Sequence, residues 1–358
     1  GDVSQKGVST TIGEIANMAA RIPLRALCEL ISDEEADTFA LLSHKEELTT
    51  RDGKPYWMVT FRDAQAEFTF PIWCDSPWAE ACRQQWVVGA FYKLRAVRRE
   101  TKYGPQLEIH RIRETVDQDR NDGFDPLMCL PQSRFPPDEL WQRLLALVQN
   151  EIRVASVRDL VSHILEKYHQ TILTLPAARS HHHAYVGGWL EHTLSVTETC
   201  IFLADKYIQL YPDLSPPLDR DLVIAGAVLH DIGKLRELEF HTTTTEYSPE
   251  GALLGHVVLG RDFVREFASE VGLDRERQLR LEHLIIAHQR LPEWGSPRPP
   301  MTPECLIVHF ADDLDAKFHM FWKALRSDSK DGPLTTDRNP LRQAIFRGFN
   351  ESGGVPKD

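Results

Sequence analysis

One stretch, LVIAGAVLHDIGKL at residues 222–235, limits the fold more than any other. From Leu222 to Leu229 every residue is apolar or glycine, which is too continuous for a helix with one face in water, so other elements must surround it. Yet His230, Asp231 and Lys234 follow directly. Burying a charge or an unpaired polar group costs several kcal/mol. These three groups therefore need partners inside the protein.

The same helical period recurs over residues 138–150, 155–174, 188–210, 219–230, 250–271, 275–290 and 303–325. Pro212, Pro216, Pro217, Pro249, Pro292, Pro297, Pro299 and Pro300 fall between those stretches, where a residue without an amide donor does least harm. The spacing predicts an all-α bundle over residues 138–327. Ahead of it, residues 22–115 read as short strands. YWMVTFRD, AEFTFPIW, FYKLRAVRRE and PQLEIHRIRE are rich in aromatic and β-branched residues, and Asp52-Gly53 and Tyr103-Gly104-Pro105 mark turns. SPWAEACRQQW reads as one short helix among them. About five strands with one helix interposed match an OB-fold, a small closed barrel. Residues 116–137 turn to Asp, Gly and Pro and read as a linker. The expected fold class is thus multidomain: an N-terminal extension (1–21) without assigned function, an OB-fold β-barrel (22–115), a linker (116–137), a helical bundle (138–327) and a weakly ordered tail (328–358).

A length of 358 residues suits two domains, each with its own core. No apolar run approaches 18 residues and no basic segment precedes an apolar one at the start, so we expect a cytoplasmic protein without membrane contact. Six cysteines lie scattered, which argues for free thiols rather than a zinc-thiolate site or a disulfide framework. A net charge of −12 disfavours nonspecific coating of nucleic acid. The distribution is uneven, however. From Trp86 to Arg113 seven basic residues face two acidic ones, a local stripe able to form a nucleic-acid groove.

Polar residues recur on the apolar helices: His192, His230 and Asp231, His256, His288, and Asp312, each among aliphatic neighbours. A lone histidine of this kind is more often a satisfied core residue than a ligand, but five helices each presenting one change the balance. Imidazole and carboxylate without thiolate form a donor set for a hard or borderline divalent ion, and helix bundles collect such donors from facing helices. The motifs HHHAYVGGWLEHTLSV, LHDIGKL, GALLGHVVLG, LEHLIIAH and HFADDLDAK, with their order and the preceding OB-fold, resemble the HD-domain metal-dependent phosphohydrolases and, within them, the YhaM-type 3′→5′ exoribonucleases. The resemblance covers roughly residues 22–325.

That resemblance implies a hydrolase acting on single-stranded RNA or DNA with one or two divalent ions, Mn²⁺ first, with Mg²⁺, Fe²⁺, Co²⁺ or Ni²⁺ as alternatives. It makes His192, His230, Asp231 and Asp312 the core ligands, Asp231 the bridge and catalytic carboxylate, and His256 and His288 ligands of a second ion. Lys234, a second catalytic group one turn beyond Asp231, would contact a phosphate oxygen. His182, His183 and Tyr185 would touch substrate or serve structure alone, and Arg298 is a further phosphate candidate. In the barrel, Trp73, Lys102 and Tyr103 are the expected substrate contacts, although aromatics at strand spacing more often form core. The chain departs from the resemblance at Gln289 and Arg290, where many relatives carry a second histidine and a glycine. Asp315 is expected to orient a partner. A homo-oligomer is also implied. Two rival readings stand: a phosphohydrolase of small nucleotides, and a nucleic-acid-binding protein with an inactive HD site.

Overall fold

The computed structural model describes residues 21–177, 185–240, 245–328 and 330–349. The chain divides into two compact units, residues 1–130 and 131–358.

The first unit is built on five antiparallel strands, β1 (Glu35–Thr49), β2 (Pro55–Arg62), β3 (Glu67–Trp73), β4 (Phe91–Thr101) and β5 (Gly104–Glu114), with helix α1 (Ala79–Gln84) between β3 and β4. The sheet order is β3-β2-β1-β4-β5, and the end strands β3 and β5 meet, which closes the barrel in OB-fold topology. Register decides which residues point inward. Along β2 and β3, Trp57, Val59, Phe61, Phe68, Phe70 and Ile72 are buried, while Tyr56 and Trp73, paired across the strands, lie outside. Phe61 sits at the centre, its ring 5.8 Å from that of Trp86 and 6.1 Å from that of Phe70. Truncating a buried phenylalanine of this kind costs about 3–5 kcal/mol.

Residues 116–130 are no free linker. Two 3₁₀ turns, Asp117–Asp122 and Pro126–Cys129, pack on the barrel. The Asp119 carboxylate accepts two hydrogen bonds from the Arg113 guanidinium, both at 2.8 Å, and one from Val116 N–H. Phe124 is buried against Phe39 and Phe91. The Asp, Gly and Pro content marks tight turns, and those two side chains anchor them.

The second unit is helical: α2 (Pro137–Glu151), α3 (Ala155–Lys167), α4 (His169–Thr174), α5 (Gly188–Leu210), α6 (Arg220–Leu229), α7 (Lys234–Glu237), α8 (Pro249–Val271), α9 (Arg275–Ala287) and α10 (Pro303–Ser327), with a small antiparallel pair, β6 (Leu238–Phe240) and β7 (Thr245–Tyr247), between α7 and α8. Sequence chemistry sets many of the starts. Asp219, Ser248, Asp274 and Thr302 each accept a backbone N–H of the first turn, and Pro137, Pro249 and Pro303 open α2, α8 and α10. α6 is buried from Asp221 to Leu229, packed by α3, α5, α9 and α10, as its composition requires. Residues 330–349, expected to be weakly ordered, instead fold back in an irregular segment. Thr335 and Ile345 are buried, and Thr336 and Arg347 both hydrogen-bond to the Asp328 carboxylate. Among the described residues no helix is long and apolar enough to cross a membrane.

Candidate metal centre

The buried helix α6 ends at His230, and a tight turn through Asp231, Ile232 and Gly233 leads into α7. Two contacts hold this turn. Trp189, on α5, donates its indole N–H to the Asp231 carbonyl at 3.2 Å. Gly233 lies against the backbone of α8, where an added Cβ would come within 1.9 Å of the His256 carbonyl oxygen, so no larger residue fits. Across that contact, Gly255 takes φ +73° and kinks α8 immediately before His256, whose N–H then finds Glu237 Oε1 at 3.0 Å.

Around this turn the structure gathers six side chains in two groups, His192 with His230 and Asp312, and Asp231 with His256 and His288. Within each, the donor atoms lie within 4.8 Å of one another. Asp312 Oδ1 is 2.9 Å from His192 Nε2 and 3.5 Å from His230 Nε2. Asp231 faces both groups. Its Oδ1 lies 3.3 Å from His256 Nε2 and 3.5 Å from His288 Nε2, and its Oδ2 lies 3.5 Å from His230 Nε2.

Neighbouring atoms leave the inner nitrogens available. His230 Nδ1 donates to the Ala227 carbonyl at 2.7 Å and His288 Nδ1 to the Ile285 carbonyl at 2.6 Å, so each ring presents Nε2 to the cluster. His192 Nδ1 donates to Asp315, which Ser195 also binds, and His256 Nδ1 lies 3.2 Å from Glu237 Oε1. His309 holds the His288 carbonyl at 2.7 Å.

The buried carboxylates draw positive charge. Burial alone would depress the His192 imidazole, but Asp312 and Asp315 outweigh it and raise it to about 10. His256 is likewise pushed down by burial and more strongly up, to about 9, by Asp231 and Glu237. Burial dominates at His288, which is lowered. It would also neutralise Asp231, yet Lys234 and His230 hold that carboxyl well below its ordinary range. His230 Nε2 and Asp231 Oδ1 are both buried without a hydrogen bond. An unsatisfied buried polar atom costs about 1–3 kcal/mol. A divalent cation in each donor group would satisfy one of them, so the donor set fits such ions.

Lys234 is buried, its ammonium 2.9 Å from Asp231 Oδ2 and donating to the Ala177 carbonyl. In this structure it neutralises the central carboxylate. Tyr185 lies outside the cluster and donates its hydroxyl to Glu191 at 2.6 Å. Arg298 is exposed in the loop after α9, and among the described residues no hydrogen bond or salt bridge joins it to the cluster. His182 and His183 lie outside the described residues. In the barrel unit, Trp73 and Tyr103 are exposed, by 49% and 80%, and the Lys102 ammonium sits 5.0 Å over the Tyr103 ring.

Sequence reasoning missed several neighbours. Glu237 follows Lys234 by three residues, the spacing that places Lys234 beside Asp231, so a signal existed. Trp189 and His309 act on backbone carbonyls and left none. Gln289 brings its amide to 3.1 Å from His288 Nε2 and 3.4 Å from His256 Nε2, so the residue in place of a histidine still borders the cluster.

The HD domain family matches residues 189–317, which carry all six cluster residues. The chain is 32% identical over 292 residues to the 3′-5′ exoribonuclease YhaM of Halalkalibacterium halodurans, covering 82% of this chain and 86% of that protein. Among solved structures, a domain of replication protein A from Methanococcus maripaludis (TM-score 0.21, 10% identity) and the second OB-fold domain of that protein (TM-score 0.20, 14% identity) each match 25% of this chain and 93% of their own length.

Proposed function

The chain belongs to the YhaM family of 3′-5′ exoribonucleases, and on that premise we propose that it shortens single-stranded RNA from the 3′ end by hydrolysis at the Asp231 cluster. The observation that carries this reading is the meeting of two three-donor groups at one buried carboxylate, with two orphaned polar atoms between them. His192, His230 and Asp312 would hold one divalent ion, and Asp231, His256 and His288 would hold a second. When bound, such ions act as Lewis acids toward phosphoryl oxygens and lower the pKa of water. Mn²⁺ is our choice, since imidazole and carboxylate donors without thiolate suit it.

The remaining chemistry belongs to side chains. Asp315 and Glu237 keep the imidazoles of His192 and His256 turned inward. Lys234 places a fixed positive charge beside Asp231, where the transition state gains negative charge. The exposed faces of Trp73 and Tyr103 offer stacking surfaces for unpaired bases, with Lys102 beside Tyr103. Arg298, exposed beyond α9, would meet a substrate phosphate.

The test is a 5′-labelled single-stranded RNA incubated with Mn²⁺. A ladder shortening progressively from full length, with mononucleotides as the other product, is expected. Immediate release of the label as a mononucleotide would reverse the polarity, and equal cutting of circular RNA would make the enzyme an endonuclease.

We also infer self-association. Leu306, Phe310, Leu314 and Phe318 form an apolar stripe along α10 that is between 49% and 70% exposed. Sedimentation velocity should give a mass above one chain. The six free thiols suit a reducing compartment and support a cytoplasmic location.

A further inference from the structure

On the β2–β3 face, which OB-folds commonly use for oligonucleotides, the exposed or half-buried side chains include Tyr56 and Trp73, but charge is scarce. Its cation, Arg62, faces Glu67 at 3.5 Å. Most of the positive charge lies elsewhere. On the outer side of β4 and β5, Lys93 stands directly opposite Arg113 and Arg95 opposite Arg111. Like charges directly opposed across two strands are destabilising, so each of these cations needs a partner of opposite charge.

Two of the four cations are held in place. Arg95 makes a bidentate contact with Asp37 at 2.8 and 3.2 Å, and Arg113 makes one with the buried carboxylate of Asp119. Among the described residues, Lys93 and Arg111 take part in no salt bridge, which leaves two positive charges uncompensated. The four line a groove of about 370 Å³ together with Trp78, Ile112 and one carboxylate, Asp37, whose charge Arg95 offsets, a space comparable to one nucleotide unit. Trp78 is itself fixed by donating its indole N–H to the Ile109 carbonyl at 2.8 Å. Fixed guanidinium forks, uncompensated cations and a half-buried indole in one groove are the elements of a single-strand site.

We propose that this groove, lined by Trp78, Lys93, Arg95, Arg111 and Arg113, binds the phosphodiester backbone of single-stranded RNA. This rests on the exoribonuclease reading for the identity of the polyanion. It adds a charged site on β4–β5, separate from the β2–β3 face. Lys93 and Arg111 set the affinity, and Arg95 and Arg113 set the position of the strand.

The test uses the full chain in EDTA, so that the strand stays intact, and measures anisotropy of a fluorescent 20-nucleotide single-stranded RNA over a range of salt. Removing one phosphate-binding cation lowers the salt exponent by about 0.7 for single strands. The double variant Lys93→Ala/Arg111→Ala should therefore reduce the slope by about 1.4 and weaken binding about 20-fold at 0.1 M salt. Lys93→Arg/Arg111→Lys should keep most of both, and Lys206→Ala/Arg275→Ala, at the ends of α5 and α9 remote from His192 and His288, should change neither. An unchanged slope in the Lys93/Arg111 alanine variant, an equal loss in the Lys206/Arg275 variant, or no RNA binding by the unaltered chain overturns the proposal. Binding that follows this pattern without trimming in Mn²⁺ would leave the groove standing and remove the exoribonuclease reading instead.

Discussion

The two oxygens of Asp231 face different partners, His256 and His288 on one side and His230 and Lys234 on the other. Removing its charge should therefore disturb both donor groups at once, whereas changing His192 or His288 should disturb one. Asp231→Asn keeps the size of the side chain and the indole bond from Trp189, which goes to the backbone carbonyl. The helical circular dichroism spectrum should stay unchanged, while elemental analysis after dialysis should show loss of bound divalent metal and hydrolysis should fall by more than about 100-fold. Near-normal turnover with metal retained would refute the ligand assignment. Gln289 borders the same cluster. Its carboxamide reaches the same two imidazoles that a histidine there could supplement, with a neutral group of different donor chemistry.

Where elements end, backbone conformation governs the cluster. α9 stops at His288, and Arg290 follows in the left-handed region at φ +71°, its N–H bonded to the Ala287 carbonyl at 2.9 Å. Glycine is the usual residue at such a helix end, and a side chain there is strained. Arg290 is exposed. Arg290→Gly should thus raise stability by about 1 kcal/mol, read as a higher urea midpoint at unchanged m-value, with metal content unaltered. A lower midpoint would mean that the arginine side chain contributes more than its backbone costs. The opposite holds at Gly233 and Gly255, where a tight approach and a kink admit no ordinary side chain without moving His256.

At the level of the whole molecule, chemistry and charge are divided between units that each have a core of their own. The proposed ligands all belong to the helical unit, and the uncompensated cations of the β4–β5 groove belong to the barrel. Deleting residues 1–130 should consequently spare hydrolysis of a small diester such as bis-nitrophenyl phosphate. It should slow shortening of a long single-stranded RNA and flatten its salt dependence. Parallel loss on both substrates, with a lowered melting temperature, would show that the barrel instead stabilises the bundle.

Much of the helical unit was legible in the chain because helix positions follow local chemistry. The 3.6-residue period and the flanking prolines place α6, α9 and α10 within a few residues, and in the structure Asp219, Asp274 and Thr302 cap their starts. The inward series from His192 to Asp312 was legible too, since polar residues among aliphatic ones are conspicuous. Other features depended on contacts between distant segments. β1, with three Glu and three Leu among its 15 residues, has little local strand character and is a strand because β2 and β4 pair with its two edges. Strand register put Phe61 and Phe70 inside and Trp73 outside, a choice that a shift of one residue would reverse. Packing of Phe124 and Asp119 drew residues 116–130 onto the barrel. Local chemistry along the chain was enough to say which side chains were available for the cluster. That Asp231 stands between both groups came from folding, because its histidine partners lie on helices separated along the chain and brought together by the burial of α6.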